Sequence, residues 1–210
     1  MMSRRKGACP METVIRAASA ADAEALLRIY GEYVRNTAIT FEYETPAPEE
    51  FRRRISGTLE RYPYLCALRQ GEIVGYAYAG PFAERAAYDW AAETTIYLAQ
   101  DARGRGLGRK LYEALEEALG AMGVLNLYAK IAYPRTEDEY LTKNSAEFHR
   151  HLGYQTAGRF AACGCKFGRW YDMVCMEKLI GRHVENPPPV RPWREVRQAK
   201  EAKEAVKRPE

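Results

Sequence analysis

In QDARGRGLGRKL, residues 100–111, Gly104, Gly106 and Gly108 leave the main chain bare, and Arg103, Arg105 and Arg109 flank it. The stretch joins a strand-like run, WAAETTIYL (90–98), to an amphipathic run with Leu107, Leu111, Leu115, Ala118, Leu119 and Met122 on one face. A side-chain-free turn that opens a helix presents unpaired N–H groups where the helix dipole already favours negative charge, and a diphosphate meets that description. The arginines add charge-assisted contacts at the rim. Glycines before a helix also serve plain turns, so the residues alone leave both readings open. A P-loop is excluded, because Arg109 and Lys110 stand where Lys and then Ser or Thr are required. A dinucleotide fingerprint is disfavoured by the next strand, VLNLYAKIAY (124–133), which lacks the acidic residue such a site needs.

Glu93 is the one charge in its strand-like run. Burial there would raise its pKa and suit it to accept a proton from an ammonium group, directly or through water. A carboxylate on an exposed face, or in a structural ion pair, is the competing reading. His149, in EFHRHLGY (147–154), is a candidate for positioning or proton relay, against a packed or surface histidine. His151 lies on a different face of the same short helix.

Around these residues TVIRAAS reads as a strand, and Ser19 with Asp22 as a capping box for a helix carrying Leu26, Leu27, Tyr30, Tyr33 and Val34. NTAITFEYETPAP is a loop; Glu49 and Glu50 open a second helix; YLCALRQGEIVGYAYAGPF is a hairpin turning at Gln70 and Gly71. Gly123 ends the helix after the glycine turn, KNSAEFHRHLG is a short helix capped by Asn144 or Ser145, and RWYDMVCMEKL is the last strand. This order implies an α+β fold with a mixed, mostly antiparallel sheet and one parallel crossover.

QDARGRGLGRKL resembles motif A of the GCN5-related N-acetyltransferases (GNAT), whose Gly-rich turn binds the pyrophosphate of acetyl-CoA. AYAGPF, ERAAYDWAAETTIYL, FHRHLGY and KFGRWYDM resemble, in that order, the phosphinothricin acetyltransferase branch, and the likeness spans residues 13–180. The resemblance implies the GNAT fold, acetyl-CoA as co-substrate and no metal. It implies Glu93 as catalytic base with His149 beside it, and a pyrophosphate site at Arg103, Gly104, Arg105, Gly106, Leu107, Gly108 and Arg109. Main-chain groups of Ile96, Tyr97 and Leu98 would contact the pantetheine arm and the acetyl carbonyl. Asn144 is the candidate for a further pantetheine contact, although Thr142 occupies the branch's usual asparagine position. Arg85 and Tyr88 would engage the acidic end of an amino-acid-like acceptor, and Phe41 and Lys166 would line its pocket. The branch completes its cleft with a homodimer partner. The implied acceptor is the amine of phosphinothricin or of methionine sulfoximine or sulfone; the alternatives are a protein N-terminus or other small amine, and a non-catalytic acyl-CoA-binding module.

At 210 residues and 47% hydrophobic composition, the chain has material for one buried core, expected over residues 13–182 between a flexible 1–12 and a charged tail 183–210. With 32 basic against 28 acidic residues it carries no footprint of a nucleic-acid-binding protein. No apolar run long enough for a signal peptide or a membrane span is present, and five cysteines without metal-ligand spacing read as reduced thiols, so a cytoplasmic protein is expected. The proline-led tail shows no core-forming apolar face and is expected as a solvated helix or disorder.

Overall fold

The computed structural model describes residues 13–206; the expected flexible segment 1–12 and the last four residues of the tail lie outside them. Strand β1 (Thr13–Ala17) leads through the Ser19–Asp22 capping box into α1 (Ala23–Asn36), and α2 (Pro48–Arg61) follows after the loop. The Ser19 N–H donates to Asp22 Oδ2 at 2.8 Å, and the Arg16 guanidinium beside it holds the Asp22 carboxyl down at about 2. β2 (Tyr64–Arg69) and β3 (Glu72–Pro81) form the hairpin, with Gln70 and Gly71 both at positive φ (54° and 82°), as a type I′ turn demands. Then come β4 (Ala91–Leu98), α3 (Leu107–Met122), β5 (Asn126–Tyr133), α4 (Asn144–His151), the β6–β7 hairpin (Gln155–Lys166 and Arg169–Leu179) and α5 (Trp193–Val206).

The seven strands lie in the order β1-β2-β3-β4-β5-β7-β6. Every pairing is antiparallel except β4–β5, which is parallel and is bridged by α3, so the mixed sheet with one crossover is present as expected. Period-2 alternation gives the sheet two apolar faces. One packs Ala92, Leu127, Ala129 and Ile131 against Leu111, Leu115 and Leu119 of α3. The other gathers Tyr64 and Tyr76 with Leu26, Tyr30, Tyr33 and Val34 of α1 and Ile55 of α2.

The tail forms a helix, one of the two states expected for it, but part of that helix is docked instead of solvated. Trp193 and Val196 are buried in the same core as α3, and the Arg191 N–H donates to Met122 O at 2.9 Å, the C-terminal end of that helix. Two apolar residues at helical spacing suffice to dock α5, because the remaining positions stay solvated; a search for a full apolar stripe overlooks so narrow a seam. Removing the indole from this seam is expected to cost about 3 kcal/mol in Trp193→Ala, as for other large core truncations. Trp193→Phe, whose parent Nε1 has no hydrogen-bond partner, should lose about 1.5 kcal/mol or less. Urea unfolding of both variants measures this; an unchanged Trp193→Ala midpoint would show that α5 contributes nothing.

Candidate active site

β4 and β5 stay together for only three register pairs, Ala91–Asn126, Ala92–Leu127 and Glu93–Tyr128, and then part. Each remains paired on its outer edge, β4 with β3 as far as Leu98 and β5 with β7 as far as Tyr133. Beyond Glu93 the facing main-chain edges are therefore open to a third party, since backbone N–H and C=O groups call for partners. At the fork the buried Thr94 hydroxyl donates to Tyr128 O at 3.2 Å, replacing the missing ladder bond. The gap is a small cleft of about 60 Å³. Thr95, Tyr97, Lys130 and Ile39 line it on the α1 side of the sheet, and Ile96, Tyr112, Ser145 and His149 on the α3 side.

At the far end of β4 lies the glycine turn. Gly104 and Gly106 sit at φ +71° and +76°, and a Cβ on either would meet no protein atom within 4 Å. The first main-chain bond into α3 is Lys110 N–H to Gly106 O at 3.2 Å, so the N–H groups of Leu107, Gly108 and Arg109 precede the helical ladder and face the bare turn. Gly108 differs: a Cβ there would lie 3.0 Å from the Phe148 ring, so its small size lets α3 and α4 approach. The three arginines divide similarly. Arg105 is exposed, the Arg103 guanidinium lies 5.0 Å over the Tyr33 ring, and Arg109 donates to His151 O at 3.4 Å. The Tyr33 hydroxyl in turn donates to Leu98 O at 2.7 Å and receives Leu98 N–H at 3.1 Å, fixing the end of β4 to α1. That bond engages the Leu98 amide within the protein, so of the three expected strand contacts Ile96 and Tyr97 line the cleft and Leu98 does not.

His149 is 3% exposed. Its Nδ1–H donates to Ser145 O at 2.7 Å, which leaves Nε2 to accept from the Tyr112 hydroxyl at 2.7 Å. Burial pushes its pKa down to about 4, partly opposed by the Ser145 carbonyl, so at neutral pH the imidazole is uncharged. Tyr112 is buried beside Thr94 and Tyr154, and burial pushes its hydroxyl well above the ordinary tyrosine range. His151 is exposed on another face of α4, as expected.

Glu93 corrects the sequence reading in one respect. It is half-buried instead of enclosed in an apolar environment, and its Oε2 lies 2.6 Å from Lys130 Nζ. The parallel register places Glu93 beside Tyr128, and Lys130, two residues further along β5, projects from the same face. Asn144 is exposed at the start of α4 and Ser145, its neighbour, lines the cleft. Phe41 and Lys166, far apart in sequence, are brought together: the Phe41 ring lies where a Cβ on Gly164 would stand, and buried Lys166 donates to Thr40 O at 2.8 Å. Desolvation lowers the Lys166 pKa. Arg85 and Tyr88 are exposed on the loop before β4, where Tyr88 meets Phe82 and Phe82 in turn covers Tyr128. Among the described residues, no cluster of three or more His, Cys, Asp or Glu side chains could hold a metal ion.

A sheet split beside a parallel crossover, with a bare glycine turn at the head of the crossover helix, defines an acyl-coenzyme A transferase type of site. The chain belongs to the GNAT acetyltransferases: the family described as acetyltransferase (GNAT) domain matches residues 15–175. It is 35% identical over 184 residues to a phosphinothricin N-acetyltransferase of Streptomyces viridochromogenes, covering 88% of this chain and 94% of that one. It is likewise 35% identical over 170 residues to an L-methionine sulfoximine/L-methionine sulfone acetyltransferase of Pseudomonas aeruginosa, covering 80% and 94%. The crystal structure of a phosphinothricin acetyltransferase from Sinorhizobium meliloti in complex with AcCoA superposes with a TM-score of 0.76 at 34% identity, over 87% of this chain and 99% of that one. No helix among the described residues is long and apolar enough to cross a membrane.

Two outcomes follow from this geometry. Gly106→Ala places a methyl group in the bare turn at a left-handed φ, a strain of about 1–2 kcal/mol, and calorimetry should show acetyl-CoA affinity reduced by roughly tenfold or more; unchanged affinity would remove the turn from coenzyme binding. His149, held near 4 against an ordinary 6.5, resists a proton that the unfolded chain accepts. Its contribution is complete above pH 6.5 and is lost as the pH falls towards 4, by about 3 kcal/mol. Urea titrations at both pH values should show this loss in the wild type and not in His149→Gln.

Proposed function

We propose that the protein is an acetyl-CoA-dependent N-acetyltransferase whose acceptor is the amine of a small amino-acid-like molecule, of the phosphinothricin or methionine sulfoximine and sulfone type. The observation that carries this reading is the position of Glu93 at the fork: it closes the last register pair before β4 and β5 separate, and its carboxylate touches Lys130, which lines the cleft. The names of the relatives support the acceptor class.

When bound, acetyl-CoA supplies the thioester carbon to which the acceptor nitrogen adds and the sulfur that departs. The N–H groups at the start of α3 and the rim arginines Arg103, Arg105 and Arg109 suit its diphosphate. The open edge of β4 at Ile96 and Tyr97 suits the amides of its pantetheine arm. Glu93 would take one proton from the acceptor ammonium and free the lone pair for addition to the thioester carbon; the second proton, shed as the N–C bond forms and the C–S bond breaks, would leave on the departing sulfur as thiol. His149 and Tyr112 act as a neutral, dry wall on the opposite face, with the imidazole held in one tautomer. Phe41 and Lys166 shape the acceptor pocket from the loop between the first two helices, and Arg85 with Tyr88 offers a cation and a ring to the acceptor's far end.

The cytoplasmic location is supported by the free cysteines among the described residues. A homodimer is supported by the large apolar side chains Phe160, Phe167 and Trp170 that the β6–β7 hairpin exposes.

A thiol-release assay over phosphinothricin, methionine sulfone and methionine sulfoximine tests the acceptor. Glu93→Gln should lower kcat by about 10²–10⁴-fold and leave the calorimetric affinity for acetyl-CoA at the wild-type value. Full turnover by this variant at neutral pH would remove Glu93 from the proton transfer.

A further inference from the structure

Lys130 is the cation in ion-pair contact with Glu93 among the described residues, with Nζ 2.6 Å from Oε2. It also lines the cleft, beside Thr95 and on the same face of the sheet as Glu93. A nitrogen that hands its proton to Glu93 directly comes within hydrogen-bond distance of that carboxylate, and in the free protein the Lys130 ammonium already stands there. An acceptor ammonium that approaches this carboxylate directly competes there with Lys130. A displaced, half-exposed lysine at the cleft requires a counter-ion, and the cleft lining offers no carboxylate: Ala129, Ile131 and Ala132 beside it are apolar, and Glu177, on the same face beside Tyr128 in the β7 register, lies outside that lining. Cys175, opposite Lys130 in the β7 register, is a thiol that burial drives upward, so it remains neutral.

An α-amino acid brings the counter-ion with it, because its carboxylate is attached to the same carbon as the ammonium. We propose that Lys130 is a specificity-determining residue that holds the place of the acceptor ammonium in the free protein and turns to the acceptor's α-carboxylate when the ammonium takes over Glu93. One internal ion pair is thereby exchanged for two with the zwitterion, and an amine without an adjacent carboxylate brings Lys130 no such partner. The flexible stem and three rotatable donors of lysine suit such a move better than a fixed guanidinium fork. Arg85, on the exposed loop, then remains for the distal phosphinate or sulfone. The inference rests on the amino-acid reading above.

The test compares methionine sulfone with 3-(methylsulfonyl)propan-1-amine, which has the same chain and no carboxylate, in wild type, Lys130→Met and Lys130→Arg. Lys130→Met should raise KM for methionine sulfone by roughly ten- to a hundredfold, the weight of one charge-assisted hydrogen bond, with kcat within about twofold. For the decarboxylated amine, kcat/KM should stay level or rise. Lys130→Arg should recover part of the methionine sulfone KM, and acetyl-CoA affinity by calorimetry should be equal in all three. Equal losses on both acceptors, or an unchanged KM for methionine sulfone, overturn the role of Lys130 and leave the acetyltransferase reading standing. If the wild type turns over no α-amino acid at all, the acceptor reading fails and this inference fails with it. Should Lys130→Met fail to fold, the acceptor selectivity of Lys130→Arg decides: the same selectivity ratio with a lower affinity for both acceptors counts against the exchange.

Discussion

The whole site depends on one unmade set of hydrogen bonds. A parallel pair of strands flanked on both outer edges by antiparallel partners would ordinarily zip along its full length. Here the zipper stops after Glu93 and Tyr128, where the Thr94 side chain takes the Tyr128 carbonyl. Beyond it, β3 and β7 keep the two strands extended, while Tyr33 ties the tip of β4 to α1. The polar main chain left in the gap is what a long, amide-bearing coenzyme arm can satisfy, and the helix that spans the crossover starts from the bare turn after β4.

The two faces of the split have different electrostatics. On the α3 side a neutral histidine, a strongly protonated tyrosine and apolar strand residues form a wall with no charge in it. On the α1 side a carboxylate and an ammonium neutralise one another across the fork. Alternation along β4 produces this asymmetry: Ala92, Thr94 and Ile96 face α3, while Glu93, Thr95 and Tyr97 face α1. A one-residue slip in register would exchange the faces and put the carboxylate into the dry core.

Much of this was legible in the residues. The glycine turn announced itself because three positions without side chains before an amphipathic helix have few uses, and the crossover followed from strand, helix and strand in sequence. Glu93 was legible as a lone charge in an apolar strand. The same signal marks Lys130 in VLNLYAKIAY, but pairing the two requires the parallel register, which no local pattern reveals. Nor could spacing show that Leu98 is occupied by a tyrosine from α1, or that Ser145 faces the cleft in place of Asn144, since both depend on how distant elements dock. The seam holding α5 escaped because it is two residues wide.

Lining residues from both faces of the sheet give the cleft two sides, one at Ser145 and His149 of α4, the other at Ile39 of the loop that also carries Phe41. Donor and acceptor on opposite sides do not obstruct each other's entry, and both must be present at once for the nitrogen to meet the thioester. Such an arrangement suits a sequential order with a ternary complex, for which the signature would be coenzyme A competing with acetyl-CoA and not with the acceptor.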